Sequence, residues 1–165
     1  MRRPALVIAA LLAACATTPA PAPPPAKPAA PRVPYAEFPA GWIPDTDAKP
    51  GGSFAGAVLN PKHDAKIRIF LTEASSGSPR DAVAVFRQKL ESRGAVIGGA
   101  EEDGAAGFCW SGRAADGHER SGCVMAWRLN EDPSVIVTLS GEWPSGHMEA
   151  MLDHFQIIAG AVTLK

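Results

Sequence analysis

The sequence lacks most of the patterns that announce chemistry. Its 165 residues carry 16 basic and 17 acidic side chains, a formal net charge of −1, and no cluster of positive charge suits a nucleic-acid backbone. Long apolar runs are missing. The longest, residues 4–14, gives way to Thr17, Thr18 and Pro19, well short of the roughly 20 residues that a membrane span needs. The histidines, His63, His118, His147 and His154, form no His-x-His or His-x-x-x-His pair, and His147 and His154 stand two helical turns apart. No Gly-x-Ser-x-Gly elbow occurs: Gly51-Gly52-Ser53-Phe54-Ala55-Gly56 has the wrong spacing and precedes a strand. The same segment has no lysine and no following helix to make a phosphate cradle. Asp45-Thr46-Asp47 starts like a calcium loop, but Lys49 and Pro50 stand where a ligand and a glycine belong. These absences predict no catalytic residue, no metal and no cofactor. A catalytic set assembled in space from distant positions remains the alternative, an envelope hydrolase with an unrecognised site.

What is present begins at the N-terminus. Arg2 and Arg3 precede the apolar residues 5–11, and Leu12-Ala13-Ala14-Cys15 follow. A basic region, a short apolar region and small residues before a cut are the parts of an export signal. The cysteine at the cut resembles the lipobox of bacterial lipoproteins, which implies lipidation at Cys15. An ordinary secretory signal is the alternative. A twin-arginine signal lacks its following residues, since Pro4 and Ala5 come next. Two or more acyl chains anchor a protein stably in a bilayer. Ala16 after Cys15, in place of aspartate, favours the periplasmic face of the outer membrane as lipoproteins of enteric-type bacteria are sorted.

Residues 15–34 hold prolines at 19, 21, 23, 24, 25, 28, 31 and 34. That density prevents helix and sheet pairing and favours an extended polyproline II chain. At about 3.1 Å per residue such a linker reaches about 60 Å. The expected organisation is a signal peptide over 1–14, the lipidated cysteine and linker over 15–34, and one globular domain over 35–165. Without the signal's two arginines, the mature chain has 14 basic and 17 acidic residues, a net charge of −3.

Hydrophobic periodicity predicts strands at 54–59 and 66–73, the second alternating Ile67, Ile69 and Leu71 against Lys66 and Arg68. Ser78, Pro79 and Asp81 suit a helix start, and Gly94 its end. Strands at 95–101, 106–113, 119–129 and 134–142 follow, with Asp-Gly and Asp-Pro turns between them. A last helix runs over 146–161, with Ser145 as its expected cap and an apolar stripe from Met148 to Val162. The order ββαββββα predicts an α+β domain with an antiparallel sheet of about six strands. Strand segments that are apolar on both faces, such as Phe108-Cys109-Trp110, place helices on both sides of it.

The lipoprotein signal, the phrase Phe38-Pro39-Ala40-Gly41-Trp42 and this element order together resemble the PsbP-like group that includes the bacterial DcrB lipoproteins. The resemblance implies an α/β/α sandwich and an accessory or binding role. It supplies no catalytic residues to carry over.

Cys109 and Cys123 remain as an even pair in an oxidising compartment. With Ala115-Asp116-Gly117 as a three-residue hairpin loop, the two cysteines fall directly opposite each other on neighbouring strands. Cβ atoms about 4.5–5.5 Å apart there suit a disulfide; two free buried thiols are the alternative. Four tryptophans accompany a single tyrosine. Trp110 and Trp127 lie within strands and are expected in the core. Trp42 and Trp143 stand at element ends, where aromatics serve either as a binding patch or as a lid on the core. The expected partners are the bilayer, through acylated Cys15, and an envelope protein or cell-wall component, with no nucleic acid.

Overall fold

A computed structural model describes residues 38–98, 105–114 and 116–162. The signal, the linker and Cys15 lie outside these residues. So does Asp103-Gly104, one of the expected Asp-Gly turns.

Seven strands form one antiparallel sheet: β1 (Ile43–Pro44), β2 (Phe54–Asn60), β3 (Ala65–Glu73), β4 (Val96–Gly98), β5 (Ala105–Arg113), β6 (Glu119–Arg128) and β7 (Val135–Pro144). Their order across the sheet is β1-β2-β3-β7-β6-β5-β4. Two helices complete the domain, α1 (Pro79–Glu91) and α2 (Met148–Ala161). The expected six strands become seven because two residues, Ile43 and Pro44, pair with Leu59 and Val58 at one edge. Two residues show no periodicity, and proline is tolerated at an edge because it owes no bond on that side.

The last strand, β7, lies at the centre, between β3 and β6. Its faces are apolar in both directions. Ile136 joins Val83, Phe108, Trp110, Val124 and Ala126 beneath α1, whereas Val137, Leu139 and Trp143 join Ile67, Ile69 and Phe155 beneath α2. The helices therefore cover opposite faces, as two-sided apolar strands require. Strand β3 differs. Ile67 and Ile69 are fully buried toward α2, but Arg68 and Phe70 point to the other face and are only half-buried. Helix α1 packs over β5, β6 and β7 and leaves the β3 side of its face open.

Local chemistry explains the start of α1. The Ser78 hydroxyl and backbone N–H donate to Asp81 Oδ2 at 2.7 and 2.8 Å, and the Asp81 N–H returns a bond to Ser78 Oγ. The Ser78 hydroxyl, then its backbone N–H, hold the Asp81 carboxyl below its ordinary value of 3.8. A lowered carboxyl gives stabilisation that is complete above that ordinary value and is lost as pH falls through the lowered one. Ser78→Ala is expected to cost about 1 kcal/mol and to flatten this acid dependence, as read by urea melts at pH 7 and pH 3. The second helix does not start as expected. Ser145 opens a 3-10 turn, its Oγ lies 3.2 Å from the Ser121 hydroxyl, and His147 stands at the helix start without a side-chain cap. Pro144 and the buried Ser121 draw Ser145 into the sheet end instead.

Candidate functional site: a cleft between α1 and the sheet

The open strip between α1 and β3 holds two neighbouring hollows. One, of about 410 Å³, lies near the start of α1 over Phe70, Thr72, Ile136 and Thr138. The other, of about 830 Å³, lies near the end of α1 over Arg68, Ser140, Glu142 and Trp110. Both fall in the size range of small-molecule sites, about 300–1,000 Å³. Phe70 and Phe86 line both hollows, and their rings meet edge-on at 5.3 Å. Phe54 extends this row, 5.5 Å from Phe70.

One face of α1 forms the roof along the whole length. Ala82, Val85 and Phe86 stand over the smaller hollow, and Phe86, Lys89, Leu90 and Arg93 over the larger. Those from Ala82 to Leu90 repeat at three- and four-residue spacing, which keeps them on one helix face, and Arg93 follows in the turn after the helix. The site grades from apolar to cationic along that face. At the larger end Arg68, Lys89, Arg93 and Arg113 meet only two carboxylates, Asp116 and Glu142. Arg68 reaches Glu142 at 3.5 Å, and Arg113 pairs with Glu119, outside the cleft, at 2.9 Å. Lys89 and Arg93 have no ion pair among the described residues. Trp110 completes the floor. It is about nine-tenths buried, and its indole N–H has no acceptor among the described residues. The ring lies over Gly122 of β6, where a Cβ would come within 2.8 Å of its nitrogen, so a side chain at 122 would displace it.

Two carboxyls of this lining, Asp81 and Asp116, are held below their ordinary values. Hydrogen bonds from Ser78 hold Asp81, and the His118 backbone N–H holds Asp116. A general acid needs the opposite shift. Among the described residues no three of His, Cys, Asp and Glu converge on a point. The structure does bring His63 and His147 together, with ring centroids 5.5 Å apart, on the turns that bracket the sheet's end. Sequence spacing gave no sign of that pair.

The residues singled out in the sequence fare unequally. Cys109 and Cys123 are directly opposed and disulfide-bonded. The hairpin closes through a bond from the Ala114 N–H to the His118 carbonyl, with Gly117 at a φ of +85°. The binding-patch reading of Trp42 and Trp143 is corrected: Trp143 is wholly buried and Trp42 is 7% exposed, both on the α2 side and away from the cleft. Trp143 meets Phe155, and the Trp42 indole N–H donates to His154 Nδ1 at 3.1 Å. Strand-end aromatics here close the core because α2 lies across them.

The same arrangement of sheet and helices occurs in solved structures. LpqN of Mycobacterium tuberculosis, described as involved in cell envelope biogenesis, is similar over 78% of this chain and 80% of its own, with 14% identity and a TM-score of 0.54. The cyanobacterial PsbP, CyanoP, of Synechocystis is similar over 78% and 84%, with 14% identity and a TM-score of 0.51. The fold is PsbP-like. At this identity the likeness concerns the fold alone. No family model matches the chain, and no curated protein does. Among the described residues of this PsbP-like domain, no helix is long and apolar enough to cross a membrane.

Proposed function

We propose that this protein is a lipid-anchored accessory protein of the bacterial cell envelope, whose PsbP-like domain binds a ligand without transforming it. The observation that carries the reading is the cleft under α1, with its apolar-to-cationic lining. The export signal and Cys15 supply the anchor, and the proline-rich residues 15–34 the spacer. The envelope role described for LpqN agrees with this placement. An enzyme would need a general acid or nucleophile facing the same cleft.

Two experiments test the reading. Cys15→Ala should abolish uptake of labelled acyl chains and move the protein out of the membrane fraction. Membrane labelling that persists in that variant refutes the anchor. Native mass spectrometry of protein released gently from membranes should show a bound small molecule. Ser140→Phe, which fills the cleft floor, should remove it. Fresh protein without an adduct, or an adduct that Ser140→Phe retains, refutes the cleft.

A further inference from the structure

The cleft described above also specifies what kind of molecule it takes, an inference that rests on the binding role just proposed. Its two ends differ in character while sharing one wall. At the smaller end the lining is Phe70, Val85, Phe86, Ala82 and Ile136, with hydroxyls at its margin. Val85 is 67% exposed in this lining. At the larger end, Lys89 in the last turn of α1 and Arg93 in the turn that follows the helix have no ion pair among the described residues. They face Arg68 and Arg113 across the opening. Arg68 and Arg113 already have Glu142 and Glu119 beside them, so among the described residues an anion at this rim would chiefly offset the charges of Lys89 and Arg93. The Trp110 ring floors this end, with its indole N–H buried against Gly122 and without an acceptor among the described residues.

We infer that the cleft binds an anionic amphiphile, its phosphate or carboxylate head held by Lys89 and Arg93 beside Trp110 and its apolar tail laid along Phe86 and Phe70 beneath Val85. A free anion would leave the aromatic end empty. A neutral amphiphile would leave the cationic end unpaired. Arg68 and Glu142 are already in partial contact, so Lys89 and Arg93 are the cations with most to gain.

The test uses the disulfide-intact domain and three probes: dodecyl phosphate below its micelle concentration, dodecyl maltoside as the neutral analogue, and inorganic phosphate as the head alone. Binding is read by calorimetry and by the indole N–H resonances of the four tryptophans. Dodecyl phosphate should bind most tightly and shift the Trp110 indole resonance more than those of Trp42 and Trp143. A Lys89→Ala, Arg93→Ala double variant, altered only at exposed positions, should fold normally and bind it at least tenfold more weakly. Equal binding of dodecyl maltoside overturns the anionic head and leaves the cleft reading standing. Equal binding of inorganic phosphate overturns the tail. Undiminished binding by the double variant overturns the assigned cations. If no probe disturbs the Trp110 resonance, both this inference and the cleft reading fall.

Discussion

Trp143→Ala is expected to cost about 3–5 kcal/mol of folding stability, enough to unfold much of a domain whose whole margin is about 5–15 kcal/mol. The ring is fully buried at the end of β7 and packs edge-on against Phe155 of α2, with centroids 6.2 Å apart. Gly141 shapes the space for it. A Cβ there would lie 2.5 Å from the Trp143 ring and 2.9 Å from that of Phe155. The pocket walls are therefore strand backbone and a helix anchored elsewhere, and they have little freedom to collapse into a void. Urea melts should show a lower midpoint with an unchanged slope. A variant that melts like the parent protein would show that Trp143 is not the keystone between β7 and α2. Trp42→Phe should cost far less, about 0.5–1.5 kcal/mol for its bond to His154, because Trp42 lies at the boundary of the same core.

Opening the Cys109–Cys123 disulfide is expected to cost about 2–3 kcal/mol, as its short closed loop restricts the unfolded chain only modestly. The bond joins β5 to β6 across a 14-residue separation, on the α2 side of the sheet. Melting with and without reductant measures the difference, and the Cys109→Ser, Cys123→Ser variant should melt like the reduced protein. Unreduced peptide mass spectrometry of exported protein should recover the two cysteines linked. Two alkylatable thiols in that material would refute the pairing.

Some of this architecture is readable from local chemistry. The β5–β6 hairpin is one case, since a short loop ending in Gly117 sets the register of every residue above it, including the two cysteines. The capping box of α1 is another, written in Ser78, Pro79 and Asp81. Other features depend on contacts far apart in the chain. Nothing in residues 134–142 indicates that their strand lies between β3 and β6. A tryptophan at a strand end looks the same in sequence whether a helix crosses it or solvent does, and the position of α2 settled the matter for Trp42 and Trp143. The cleft falls between these extremes. Its floor is signalled by the alternation of β3, where Arg68 interrupts the apolar series. Only the offset of α1 toward β5 and β6 shows that this floor lies open.

The bond between Trp42 and His154 also settles the traffic around the domain. Phe38 and Trp42 pack with the α2 cluster, so the chain arrives on the face opposite the cleft. The first described residues therefore leave the mouth under α1 clear, and whatever enters the cleft approaches from the side opposite Phe38 and Trp42.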